Sequence, residues 1–180
     1  QPTGLTTMKL SAPTLLAVPV ALSLGVATAA PQTDLTTNGG FETGDTSSWV
    51  SFPTPNSTFA TTTDASSGSF GGEVFNPDQT TAAVIKQANL GGGVVSPGDV
   101  ITISFSAKGP FANGGVAFAE FFSEINGGGV SSAEILTGGP LNLTSSWQPF
   151  VFTAVAGSDV SGGVTLQFAG VNGANSGSLA

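Results

Sequence analysis

The chain has 180 residues, of which 8% are charged, and its 11 acids against Lys9, Lys86 and Lys108 give a formal net charge of −8. Without Arg it lacks the clustered cations that nucleic acid or anionic lipid requires, and a strongly anionic polymer is repelled. Without Cys or His it has no disulfides, no zinc site of the Cys/His kind and no Ser-His-Asp or Cys-His machinery.

At the N-terminus the only methionine, Met8, precedes Lys9, an apolar run from Leu15 to Val26, and Ala27-Thr28-Ala29-Ala30-Pro31. The apolar run is too short to span a bilayer and ends at an Ala-x-Ala cleavage site. Pro13 and Pro19 argue against a buried helix. The expectation is an upstream extension over residues 1–7, a signal peptide over 8–29 and one secreted domain over 30–180, with no membrane insertion of the mature chain.

From Asp34 onward, short apolar or alternating runs are separated by Gly, Pro and Asn. They predict strands at Asp34–Thr37, Ser57–Thr63, Gly71–Phe75, Ala82–Leu90, Val100–Lys108, Gly115–Ile125, Ser132–Leu136, Gln148–Val155 and Val164–Val171. Asn76-Pro77-Asp78, Gly91-Gly92-Gly93, Pro97-Gly98-Asp99 and Gly127-Gly128-Gly129 suit turns, where glycine supplies positive φ and proline presets it. Ile101, Ile103, Phe105 and Ala107 fall on one face of their strand, and Thr102, Ser104, Ser106 and Lys108 on the other. Many short strands, one apolar face each and no convincing helix imply an all-β antiparallel β-sandwich.

Three segments carry a family resemblance. Asn38-Gly39-Gly40-Phe41-Glu42-Thr43-Gly44 with Trp49 looks like the opening of secreted carbohydrate-binding modules of families four, nine and twenty-two. Ser96-Pro97-Gly98-Asp99 running into Ser104-Phe105-Ser106-Ala107-Lys108 is similar to their "PG-x-x-Y-x-x-SFWAK" segment. Leu143-Thr144-Ser145-Ser146-Trp147-Gln148-Pro149-Phe150 resembles their "LT-x-x-W-x-x-Y/F" segment. The resemblance implies a galactose-binding-like jelly roll that binds polysaccharide or oligosaccharide. It also implies that Glu42 ligates a structural calcium together with backbone carbonyls and an acid of the last strand, with oxygen ligands suiting a hard cation. The alternative for Glu42 is a turn cap accepting backbone amides. Ile101 and Ser106 stand where such modules often carry Tyr or Trp. The chain reaches Ala180 after a penultimate-looking strand, which implies a last strand missing.

Chemistry has few places to reside. A glycosidase needs two carboxylates flanking a cleft. Glu120 and Glu124 lie four residues apart on one strand, roughly 13 Å along it and too far for either geometry. Glu134 is the remaining candidate acid, and these residues are read as non-catalytic. A glycoside hydrolase or lyase domain beyond Ala180 is left open. Sugar rings stack their C–H faces on flat side chains while polar neighbours bond the hydroxyls. Trp49 and Trp147 fall in architectural positions and are expected in the core. In Gly115–Ile125 alternation puts Val116, Phe118, Glu120, Phe122 and Glu124 on one face and Ala117, Ala119, Phe121 and Ser123 on the other. The first face is either a stacking strip with hydroxyl acceptors or the core face. Lys108 and Gln167 are secondary binding candidates from polar strand faces. The expected function is non-catalytic binding of extracellular or cell-wall polysaccharide, targeting an attached enzyme or surface assembly. The alternative is a secreted or surface-anchored structural or adhesive protein that binds no glycan.

Overall fold

A computed structural model describes residues 6–11, 33–78, 80–109, 115–171 and 177–179. The strands are β1 (Thr6–Ser11), β2 (Val50–Phe52), β3 (Thr58–Thr62), β4 (Gly71–Asn76), β5 (Ala83–Leu90), β6 (Val100–Ala107), β7 (Val116–Glu124), β8 (Val130–Ile135), β9 (Gln148–Val155), β10 (Val164–Val171) and β11 (Gly177–Leu179). All pairings are antiparallel. They form a five-stranded sheet of order β2-β5-β10-β7-β8 and two three-stranded sheets, β1-β6-β9 and β11-β4-β3.

The alternation read from the sequence sets which face is buried. On β6, Ile101, Ile103, Phe105 and Ala107 are buried while Thr102, Ser104 and Ser106 are half-buried. β10 lies in the middle of the five-stranded sheet and is buried on nearly all of its length. Phe168 of β10 meets Phe105 of β6 edge-on at 4.9 Å, so the two sheets close on each other through this pair. Phe150 and Phe152 of β9 flank Phe105 at 5.2 and 5.9 Å. The third sheet is tied in by Asn76, almost fully buried, which donates to the Gly170 and Thr81 carbonyls at 2.9 Å and accepts the Thr54 hydroxyl at 2.6 Å.

Several sequence expectations change. Asp34–Thr37 is not a strand. Instead the backbone of Thr37 is met by one side chain: its N–H donates to Gln87 Oε1 at 3.1 Å and its carbonyl accepts Gln87 Nε2 at 2.6 Å. A buried amide side chain thus does for one residue what a neighbouring strand does for several. Conversely, β2 was not predicted, because Pro53 limits it to three residues. β8 begins at Val130, two residues before the predicted start. β1 and β11 were not predicted either; β1 pairs with β6 and overlaps the expected signal peptide, and residues 12–32, with the cleavage site, lie outside the described residues.

The opening motif folds as a knot of turns. Asn38 and Phe41 hold positive φ of 51 and 60°. The Asn38 side chain accepts from Thr43 N and donates to the Asp45 and Ser47 carbonyls, while its own carbonyl accepts Trp49 Nε1 at 3.1 Å. This buries Phe41 completely, stacked on Trp49 at 5.3 Å. Gly72 of β4 lies directly against the Phe41 ring, where a Cβ would come within 2.4 Å of Cζ. Trp49 is a core residue as expected.

At the other side, β9 is the last strand of its sheet among the described residues, and Val151 and Val155 are exposed on it.

Candidate functional site

Residues directly opposite in an antiparallel pair share a sheet face, so the registers assemble the outer face of the five-stranded sheet strand by strand. One row reads Val50, Lys86, Gln167, Glu120, Ile135 across β2, β5, β10, β7 and β8. A second reads Phe52, Val84, Ala169, Phe118, and a third Thr165, Phe122, Ala133. On β7, Phe118, Glu120, Phe122 and Glu124 are half-buried and point away from the core, while Ala117, Ala119, Phe121 and Ser123 are buried. Of the two faces left open by the sequence, the one with two Phe and two Glu is therefore the outer one.

The carboxylates are held. Gln167 Nε2 donates to Glu120 Oε2 at 2.7 Å, and Thr165 Oγ1 donates to Glu124 Oε1 at 2.7 Å. Each carboxylate keeps a second oxygen and further lone pairs for another donor. A depression of about 230 Å³ lies here, lined by Lys86, Phe122, Glu124, Gly129, Val130, Thr165 and Gln167. Its rim is the β7–β8 turn, where Gly127, Gly128 and Gly129 all take positive φ, at 89, 116 and 91°. A side chain at any of them would strain the turn. Lys86 places its ammonium 5.3 Å from the centroid of the exposed Phe52 ring.

Sequence reasoning gathered Phe118, Glu120, Phe122, Glu124 and Gln167, and all of these meet on one face. It missed Thr165, Lys86 and Phe52, whose placement depends on cross-strand register and not on their own strand's pattern. Glu134 pairs with the buried Phe121 position and so faces away from Glu120 and Glu124.

Lys108 is elsewhere. It lies just past the end of β6, buried, with Nζ 2.6 Å from Asp64 Oδ2 and 5.0 Å from the Trp147 ring centroid. Its polar-face position in the alternation does not put it on the surface, because Asp64 and Trp147 close over it. Trp147 is half-buried, not a core residue, and its Nε1 donates to Asp64 Oδ1 at 3.3 Å. The Lys108 hydrogen bond in particular holds the Asp64 carboxyl below its ordinary range.

Glu42 accepts the backbone N–H of Ser69 on both oxygens, at 3.1 and 3.0 Å, and that of Phe70 at 3.2 Å. These are donors, whereas a calcium ion needs oxygen ligands. Among the described residues no group of three or more Asp or Glu side chains could hold a metal ion. The described residues fit a carboxylate clamp on the Ser69–Phe70 amides.

No family model matches the sequence, and no curated protein matches it. Solved structures are similar in fold. The enzymatically active domain of tailspike protein 4 of bacteriophage CBA120 aligns with a TM-score of 0.60 and 15% identity, over 81% of this chain and 20% of that one. The CBM22-1 xylan-binding domain of Paenibacillus barcinonensis Xyn10C aligns with a TM-score of 0.53 and 15% identity, over 77% and 85%. The CBM22-1-CBM22-2 tandem domain of the same enzyme gives 0.54 and 14%, over 77% and 40%. This chain spans a fifth of the tailspike chain and most of the xylan-binding domain. At these identities the likeness is one of fold: the antiparallel β-sandwich jelly roll of carbohydrate-binding modules. Among the described residues no helix is long and apolar enough to cross a membrane.

Proposed function

We propose that the protein binds polysaccharide without catalysis, on the outer face of the five-stranded sheet. The observation that carries this reading is the alternation of Phe118, Glu120, Phe122 and Glu124 on the solvent side of β7, with both carboxylates steadied by β10. Phenyl faces take the C–H faces of sugar rings, and the free carboxylate oxygens accept hydroxyl hydrogens. The rigid sheet fixes these groups before the ligand arrives, so little ordering cost falls on binding. The likeness of fold to a xylan-binding domain supports the same reading. We further propose an extracellular setting in which the module holds an attached enzyme or surface assembly on its polymer. The rival, a structural or adhesive sandwich, draws on one observation: neither Trp49 nor Trp147 stands on this face. Retention of the protein on insoluble polysaccharides tests the proposal. Retention that Phe122→Ala abolishes supports it, and a protein that no neutral or acidic polysaccharide retains rejects it in favour of the rival.

A further inference from the structure

Lys86 differs from every other charge on this face. Among the described residues 33–171 the side-chain cations are Lys86 and Lys108, and Lys108 is paired with Asp64. Lys86 has no carboxylate within ion-pair distance among them. Along its row the next acid is Glu120, two strands away and roughly 10 Å distant. Gln167 stands between them, its amide N–H turned to Glu120. The ammonium instead rests against Phe52, a contact that holds it on the open face beside the depression. An acidic chain has thus placed a cation without a carboxylate partner at one side of its candidate ligand surface.

We infer that Lys86 selects glycans bearing a carboxylate, that is, chains carrying uronic acid residues. The inference rests on the glycan-binding role proposed above and names the class of ligand. A carboxylate seated on Lys86 feels that ammonium at contact. Glu120, two strands away, lies near a Debye length of about 8–10 Å and is largely screened, while Glu124 lines the same depression as Lys86. Glu120 and Glu124 oppose a second carboxylate further along the same ligand. The fitting polymer is therefore sparsely substituted, with neutral sugars over Phe118 and Phe122 and one acidic residue over Lys86.

The experiment compares xylan substituted with glucuronic acid with the same polymer after chemical reduction of its carboxyl groups, each titrated against the full chain. The native protein is expected to bind the acidic polymer about two- to fivefold more tightly at low salt, the range of an exposed ion pair. High salt and Lys86→Gln should each bring that ratio to about one, with the melting temperature of the variant confirming its fold. Equal binding of the two polymers by the native chain overturns the inference and leaves the glycan-binding reading standing. So does a preference that survives in Lys86→Gln. A native chain that holds neither polymer overturns the inference, and the glycan-binding reading falls with it only if the wider panel of polysaccharides is not retained either.

Discussion

Gln167 and Glu120 are joined twice: they are direct cross-strand partners on β10 and β7, and Nε2 of one donates to Oε2 of the other at 2.7 Å. The bond aims a carboxylate that would otherwise sample several rotamers. Gln167→Leu removes the donor while keeping the volume. It is expected to weaken polysaccharide binding about two- to tenfold, the value of one net hydrogen bond. Affinity electrophoresis reads this directly.

Phe121 and Phe122 are neighbours in sequence and opposites in environment, the first 1% exposed and the second on the outer face. Phe122→Ala is expected to cost about 1–3 kcal/mol of binding, by analogy with aromatic stacking elsewhere, with little change in melting temperature. Phe121→Ala should cost about 3–5 kcal/mol of stability. Thermal melting of the two variants side by side separates platform from core.

Gly72 has no room for a methyl group beside the Phe41 ring. Gly72→Ala should destabilise the fold by about 1–3 kcal/mol through overpacking. A denaturant titration measures it, and an unchanged midpoint would mean that Phe41 moves aside freely.

For Glu42 the clamp and the calcium site give opposite results. As an acceptor of the Ser69 and Phe70 amides, Glu42→Gln replaces one oxygen by an N–H donor. It should cost about 1 kcal/mol at this exposed position. EDTA should leave the melting temperature of the native protein unchanged. A fall on adding EDTA would support the ion instead.

Glu73 is the carboxyl that burial pushes up, with Asp64 adding to the effect. A folded-state value above the unfolded one means that the protonated form is favoured by folding. The associated stability is present at low pH and is lost as pH rises through the folded value. Glu73→Gln, which cannot ionise, should therefore melt higher than the native protein at pH 7. The difference should shrink as pH falls below the carboxylate range.

Strand periodicity made most of the sandwich readable, because a half-buried strand must alternate; β6, β7 and β9 follow their predicted alternation, whereas β10, in the middle of its sheet, is buried on both faces, Thr165 included. What stayed hidden depends on partners distant in sequence. The Gln87 side chain replaces a strand at Thr37, and Asp64 covers Lys108 from 44 residues away. The face of Phe118 and Phe122 could be listed but not oriented from β7 alone, since both of its faces carry Phe. Lys86 became a site residue only through the register that sets it beside Gln167.

Strand β9 carries no charged side chain over its eight residues, and Val151 and Val155 stand exposed along it. Such an edge invites a second chain, and Pro149, which lacks an N–H, is the one residue there that resists pairing. Colloidal stability therefore falls to the net charge of −8, which makes copies repel at neutral pH. Near the isoelectric point of about 4.1 that repulsion vanishes, while main-chain pairing is indifferent to pH. The protein should stay dispersed at neutrality and precipitate as strand-paired aggregates on mild acidification, with Val151→Lys widening its soluble range.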